Sequence, residues 1–367
     1  MSEPIRILQV VTHMNRGGLE TMIMNYYRKM NRNLVQFDFL THRPEIDEKD
    51  YDQEILQLGG EIYHISKLNP FSISYKKELK DFFLNHPEYK IIHVHQDCMS
   101  GVILKVAKEC DIPIRIAHCH SSSQDKDFKY LLKMIFKKNI PKYSTDLFAC
   151  GEIAGQWMFG KARFEVLSNA INTRNYTFSQ KKKNMVREKL GIHKDAFVLG
   201  HVGRFSEVKN HKFLLEVFEK IAEIDSDSIL LLIGQGPTME EMQRLVSMKQ
   251  LNTNVKFLGL RSDVPDLLQA MDAFVLPSLY EGVPLSIIEA QAAGLHCYIS
   301  ERVPIDCKIT ELVHQINLQE DINIWAQEIL SRRNYIRRDT FECIANAKYD
   351  ITENAKFLQT FYLEKLC

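Results

Sequence analysis

From Arg6 onward, short apolar runs alternate with stretches of helical periodicity: RILQVV, QFDFLTH, EIYHI, IIHVHQ and IRIAHCH in the first half, then FVLGHVGR, SILLLIG, VKFLGL, AFVLP and CYIS. Residues 20–31, 51–58, 74–85 and 100–110 read as helices between the early runs. Successive strands can lie parallel only if a crossover of a dozen or more residues joins them, usually a helix. The alternation therefore predicts an α/β fold with parallel sheets. It breaks once, where EVLSNAIN gives way to the lysine-rich, poorly periodic SQKKKNMVREKLGI. With 367 residues there is enough chain for two cores. We expect two Rossmann-like domains, 1–175 and 176–345, with a cleft between them. Residues 346–367 would follow as a C-terminal helix, with an amphipathic run over 354–366 that carries Phe357, Phe361 and Leu366.

Forty-seven basic and 47 acidic side chains cancel. That excludes a chain built to coat a nucleic acid, so any anion site must be local. MSEPIRILQVV has no basic n-region and no long apolar h-region, and no run reaches about 18 apolar residues, so neither a secretory signal nor a membrane span is expected. Eight scattered cysteines without a CxxC pair read as reduced thiols, which fits a cytoplasmic protein.

The polar residues that carry chemistry fall after strands. EGVPLSIIEA follows the strand AFVLP and sets Glu281 in a loop and Glu289 eight positions on, two turns into a helix that Gly294 should end. Two carboxylates on one loop–helix unit suit the hydroxyls of a sugar or ribose. VGRFSEVKNH follows another strand and carries Arg204 and Lys209 before an amphipathic helix. A guanidinium fork, an ammonium and a helix N-terminus together suit a diphosphate, although the same charges could be solvated loop side chains. Gly17 and Gly18 in NRGGLE, and Gly234 and Gly236 in LIGQGP, allow close backbone approach to a ligand or simply a tight turn. His93/His95 and His118/His120 stand at i and i+2, each pair on one face of its strand. Such a pair can ligate a metal, but no third ligand has matching spacing, and no metal or other cofactor is expected. Over 126–142, Lys129, Lys133 and Lys137 recur every four residues among Phe128, Leu131, Leu132, Ile135 and Phe136. That pattern fits either an anionic membrane surface or an ordinary packed helix with a solvated face.

NRGGLE, VGRFSEVKNH, LIGQGP, VKFLGLRSDV and LPSLYEGVPLSIIEAQAAG, in that order over Ile5 to Leu330, resemble the retaining GT-B glycosyltransferases of family 4, the bacterial capsule and exopolysaccharide type most closely. The resemblance implies that Arg204 and Lys209 hold the diphosphate of a nucleotide-sugar donor, here a UDP-sugar. It further implies that Glu281 bonds the donor sugar, that the backbone of Gly282, Val283, Pro284 and Leu285 faces sugar and phosphate, and that Glu289 holds the ribose. Gly17, Gly18 and Gly234 would line the donor site, and His120 rather than His118 would lie beside the sugar; the N-terminal domain would bind the acceptor and the C-terminal one the nucleotide sugar, with the helix of 346–367 returning to the N-terminal domain. The loop departs from many relatives at Pro284, which removes a backbone donor. Transfer would retain anomeric configuration, with the leaving diphosphate taking the proton of the acceptor hydroxyl. The implied acceptor is a glycan on a polyprenyl diphosphate, met at the inner face of the cell membrane. A nucleotide-sugar epimerase of the same fold, or a non-catalytic partner of another transferase, would carry similar motifs; the intact Arg204, Lys209, Glu281 and Glu289 set argues against the latter.

Overall fold

In the computed structural model, residues 3–43, 51–120 and 130–366 are described, and all strand pairs among them are parallel. The chain forms two units, one of Met1–Ala170 with Ile351–Cys367 and one of Ile171–Asp350. The first contains strands β1 (Ile5–Val11), β2 (Val35–Thr41), β3 (Ile62–His64), β4 (Ile91–Val94), β5 (Ile114–Cys119), β6 (Asp146–Ala149) and β7 (Glu165–Val166), in the order β3-β2-β1-β4-β5-β6-β7. The second contains β8 (Val198–Val202), β9 (Ile229–Ile233), β10 (Val255–Gly259), β11 (Ala273–Leu276), β12 (His296–Ser300) and β13 (Val313–Ile316), in the order β10-β9-β8-β11-β12-β13. Each sheet starts in its middle and reverses direction there, between β1 and β4 and between β8 and β11. Ligands of open parallel sheets bind outside the C-terminal ends of the strands at such a reversal.

Parallel strands covered on both faces need apolar residues throughout, as ILLLI of β9 and AFVL of β11 provide. Around them Leu199, Leu214, Phe218, Leu232, Val275, Tyr298 and Trp325 share one core. Where β2 buries a carboxylate at Asp38, it is satisfied on all sides. Arg6 donates to both oxygens at 2.5 and 2.6 Å, Tyr89 Oη at 2.9 Å and the Glu61 amide at 2.7 Å.

Three features differ from the sequence expectation. The lysine-rich segment is a helix, Gln180–Lys189, with the Ser179 hydroxyl accepting from the Lys182 amide as its N-cap. Only Val186 and Arg187 of it are buried, too few to leave a visible period. The units part between Ala170 and Ile171, ahead of that helix, where the Ile171 amide donates to the Tyr349 carbonyl at 2.8 Å. Finally, the helix Ile351–Glu364, which packs on the helix Gly18–Lys29 and on β2, buries Ile351, Ala355, Leu358 and Tyr362. Phe357 and Leu366 face outward instead, 46% and 38% exposed.

Candidate active site

In the second unit, β8 and β11 adjoin at the reversal, and the loop after each carries the charged residues singled out in the sequence. The first loop runs into the helix His211–Ile224 through Asn210, whose left-handed φ of 54° turns the chain. The two loops are tied together: the Leu279 amide donates to the Val208 carbonyl at 2.7 Å, and Asn210 Nδ2 to the Pro277 carbonyl at 3.2 Å. Across them Lys209 Nζ donates to Glu281 Oε1 at 2.5 Å, with 18% and 12% of the two side chains exposed. Arg204 is exposed on the same loop and forms no ion pair with a described residue. His201 and His211 lie beneath it. Burial lowers both, His211 to about 4 and His201 well below its ordinary value, so both are neutral at pH 7. The loop's own positive charge therefore comes from Arg204 and Lys209. Such a guanidinium, with an ammonium held beside a carboxylate, can receive a diphosphate while the carboxylate takes hydroxyls.

Glu289 sits on the helix Leu285–Ala292, 8% exposed. Burial raises its carboxyl, and the Tyr176 hydroxyl, donating to Oε1 at 2.7 Å, opposes that rise. Tyr176 belongs to no recognisable motif, and only the fold brings it to Glu289 across 113 positions. At the head of the same helix, Pro284 is the N-cap residue, and the side chains of Val283 and Leu285 are buried, 7% and 8% exposed. These two anchor the loop, leaving Gly282 and the backbone as its outward-facing part. The missing donor at Pro284 falls just before the helix, whose first turn still offers free amides.

The glycines resolve differently. A Cβ on Gly234 (φ 139°) would lie 2.0 Å from the Gly203 carbonyl oxygen, and one on Gly236 2.2 Å from that of Phe205. Close packing of the β9 and β8 loops is reason enough for both. In the first unit Gly17 caps the helix Gly18–Lys29 with its amide donating to Asn15 Oδ1 at 3.0 Å. A Cβ there would meet the Glu20 carboxylate, whereas one on Gly18 would meet open space. Gly18 is thus the glycine whose absence of a side chain no described neighbour demands.

At the C-terminal ends of β4 and β5, the four histidines gather on one sheet face with Gln9 of β1, which is in register with His93. His118 and His120 rings lie 4.1 Å apart. His95 bonds His120 through Nδ1 and Gln9 Oε1 through Nε2, each at 2.8 Å, and His93 Nδ1 bonds the Tyr362 hydroxyl at 2.6 Å. Burial lowers His93, His95 and His118 well below the ordinary value and His120 to about 3, so all four are neutral. Ligand nitrogens of His93, His95 and His118 come within 4.8 Å of one another. Both His95 nitrogens are engaged, and His93 stacks on His95 and His118 at 4.4 and 5.2 Å. Both His118 nitrogens and His93 Nε2 have no hydrogen-bond partner among the described residues.

The basic segment lies partly outside the described residues, Phe128 and Lys129 included, and of Leu131 only the backbone is described. Its helix Tyr130–Lys138 exposes Leu132 and Ile135 (39% and 57%). Phe136 meets Phe71, itself 66% exposed, edge-on at 6.2 Å, and Lys137 lies 4.1 Å over the Trp157 ring. No described helix is long and apolar enough to cross a membrane.

Comparison with known proteins fits this geometry. Residues 182–311 match the model of the glycosyl transferases group 1 family. The chain is 35% identical to the Bacillus subtilis protein named as a glycosyltransferase, EpsF, over 97% of its own length and 96% of that protein's. It belongs to the group 1 glycosyltransferases. The chain is also 27% identical to the Escherichia coli UDP-Gal:alpha-D-GlcNAc-diphosphoundecaprenol alpha-1,3-galactosyltransferase, over 62% of this transferase and 63% of that one. Among solved structures, Anabaena HepE in complex with UDP and glucose superposes with a TM-score of 0.76 at 16% identity, covering 97% of this chain and 95% of that one. The shared fold is GT-B, two parallel-sheet α/β domains, and the chain is a glycosyltransferase.

Proposed function

We propose that this transferase moves a sugar, with retention, from a UDP-sugar to a glycan carried on a polyprenyl diphosphate in cell-surface polysaccharide synthesis. The observation that carries this reading is the pairing of Lys209 with Glu281 beside Arg204, which forms no ion pair with a described residue, on tied loops at the reversal of the second sheet. In this reading Arg204 and Lys209 meet the diphosphate and stabilise the charge that develops on it as the glycosidic bond breaks. Donor binding frees Glu281 from Lys209 to accept from sugar hydroxyls, while the amides of Gly282 to Leu285 face the sugar and phosphate. Glu289 takes the ribose, Gly18, beside which a Cβ would meet open space, leaves room for backbone approach, and His120 lies beside the sugar. The diphosphate is neutralised by side chains, so no metal is required. The E. coli relative's diphosphoundecaprenol acceptor supports a lipid-linked substrate here. Leu132, Ile135 and Phe71, exposed near lysines, support peripheral contact with an anionic membrane. Flotation on anionic but not neutral vesicles is the result that contact predicts.

Thermal unfolding with UDP, GDP, ADP and UDP-sugars, without added metal, tests the donor. UDP at about 100 times Kd should stabilise the protein by about 2.7 kcal/mol. A shift with no nucleotide, or a larger one with GDP or ADP, would reject the UDP-sugar assignment.

A further inference from the structure

The register of the first sheet brings together two histidine pairs that lie apart in the sequence. β4 and β5 run with Val94 beside Ala117, so His95 and His118 stand side by side on the face that also carries His93. His118 thereby becomes the third ligand that spacing along the chain does not offer. Both of its nitrogens, and His93 Nε2, are buried without a hydrogen-bond partner among the described residues. Orphaned polar atoms in a core are rare and unfavourable, and three of them in one cluster call for a ligand. They adjoin a cavity of about 10 Å³ whose lining includes Gln9, His93, His95, His118, Leu358 and Tyr362. A water needs at least about that much room, whereas a bare divalent ion is smaller.

We propose that His93, His95 and His118 form a structural site for one divalent transition metal, Zn2+ foremost, within the first unit. A ligating imidazole gives its other N–H to a fixed acceptor, and such acceptors are in place. The Gln9 oxygen, 2.8 Å from His95 Nε2, only accepts, so His95 keeps its proton there and its lone pair on Nδ1. That lone pair now takes the His120 Nε2–H at 2.8 Å, and binding exchanges this bond for the ion. The Tyr362 hydroxyl, 2.6 Å from His93 Nδ1, leaves Nε2 as that ring's ligand atom. One nitrogen from each of the three rings lies within 4.8 Å of those of the other two. Nitrogens that share one Zn2+ stand roughly 3–4 Å apart, each about 2.0–2.1 Å from the ion, so binding tips the stacked rings toward a common point. A set of nitrogens without a carboxylate suits Zn2+ and its first-row neighbours over Mg2+ or Ca2+. The ion would pin β4 to β5 and, through Tyr362, both to the helix Ile351–Glu364. It is separate from the donor chemistry proposed for the loops of the second unit.

The full-length protein, grown with added Zn2+ and purified without a histidine tag or chelator, tests this. One Zn2+ per chain is expected. Its X-ray absorption fine structure should show nitrogen neighbours at about 2.0–2.1 Å and no sulfur at about 2.3 Å. A chain free of zinc would leave the cavity to a water, and a sulfur shell would put the ion on cysteines. Either result overturns the proposal without any variant having to fold. His118→Phe keeps a ring in the core, removes both orphaned nitrogens and should abolish the bound zinc, whereas His193→Gln, on an exposed ring, should keep it. Zinc retained in folded His118→Phe would equally overturn the site. Tyr362→Phe removes only the acceptor behind His93 and should weaken Zn2+ affinity on the order of 10–100-fold in a competition titration.

Discussion

Arg204 and Glu289 occupy opposite environments, and their substitutions should read out differently. Arg204 is exposed and bonds no described side chain, so Arg204→Ala should leave the melting temperature within the scatter of surface changes, about 0.5 kcal/mol. Its loss from a charge-stabilising site should lower kcat/KM by roughly 10²–10³-fold. Unchanged turnover would remove it from the site. Glu289 is buried and its carboxyl is raised, chiefly by desolvation. A folded-state value above the unfolded one means that the folded protein holds the proton more tightly. The associated stability is complete below the unfolded value near 4.5 and is lost as pH rises through the folded one. Glu289→Gln stays neutral and can still accept from Tyr176. Relative to wild type it should therefore gain in melting temperature from pH 4.5 to pH 7; a flat difference would count against the raised carboxyl. Glu281, Arg204 and Lys209 were legible because short motifs after strands carry them. Tyr176 and the orientation of Gln9 were not, because a contact across more than 80 positions leaves no local pattern.

Elements with apolar periodicity were the most readable ones. The strands AFVL and ILLLI are apolar on both faces and show as continuous runs. β13, VHQI at the sheet edge, does not, because an edge strand tolerates His and Gln. The helix Gln180–Lys189 was hidden for a related reason: its stability depends on one polar side chain. Arg187, 2% exposed, donates to the carbonyls of Ala270, Lys194 and Ala196 and to Asp272 Oδ2 at 2.7–2.9 Å. Asp272 also accepts from Lys183 and from the Val198 amide at the start of β8. Without Arg187, Asp272 keeps Lys183 and the Val198 amide, but the carbonyls of Ala270, Lys194 and Ala196 lose their donor, and each buried group left unsatisfied costs about 1–3 kcal/mol. Arg187→Ala should thus destabilise the protein by about 3–5 kcal/mol, whereas Lys181→Ala on the exposed face should change it by less than about 0.5 kcal/mol. Equal effects in chemical denaturation would show that the helix is held by composition alone.

At the scale of the molecule, the doubly wound order of both sheets was legible as alternation. The units part between Ala170 and Ile171, and the lysine-rich segment that shows no period in the sequence is a helix of the second unit. The terminal helix completes the first unit: Tyr362 reaches Gln9 and His93 across more than 260 positions, and Gln359 Oε1 accepts from the Asn31 amide. Truncation after Asp350 should strip hydrogen-exchange protection from β1, β2 and β4 while leaving β8 to β12 protected. Uniform loss, or none, would be inconsistent with a helix that belongs to one unit. The same connection sets an order of events on the ribosome. The second unit, continuous from Ile171 to Asp350, emerges whole, whereas the first must wait for residues made last. At roughly 5–20 residues per second, the 180 residues between them take about 10–40 s to synthesise. For that interval the sheet face around Gln9, Tyr26 and Phe37 lacks its cover, and the half of the protein translated first is the half finished last.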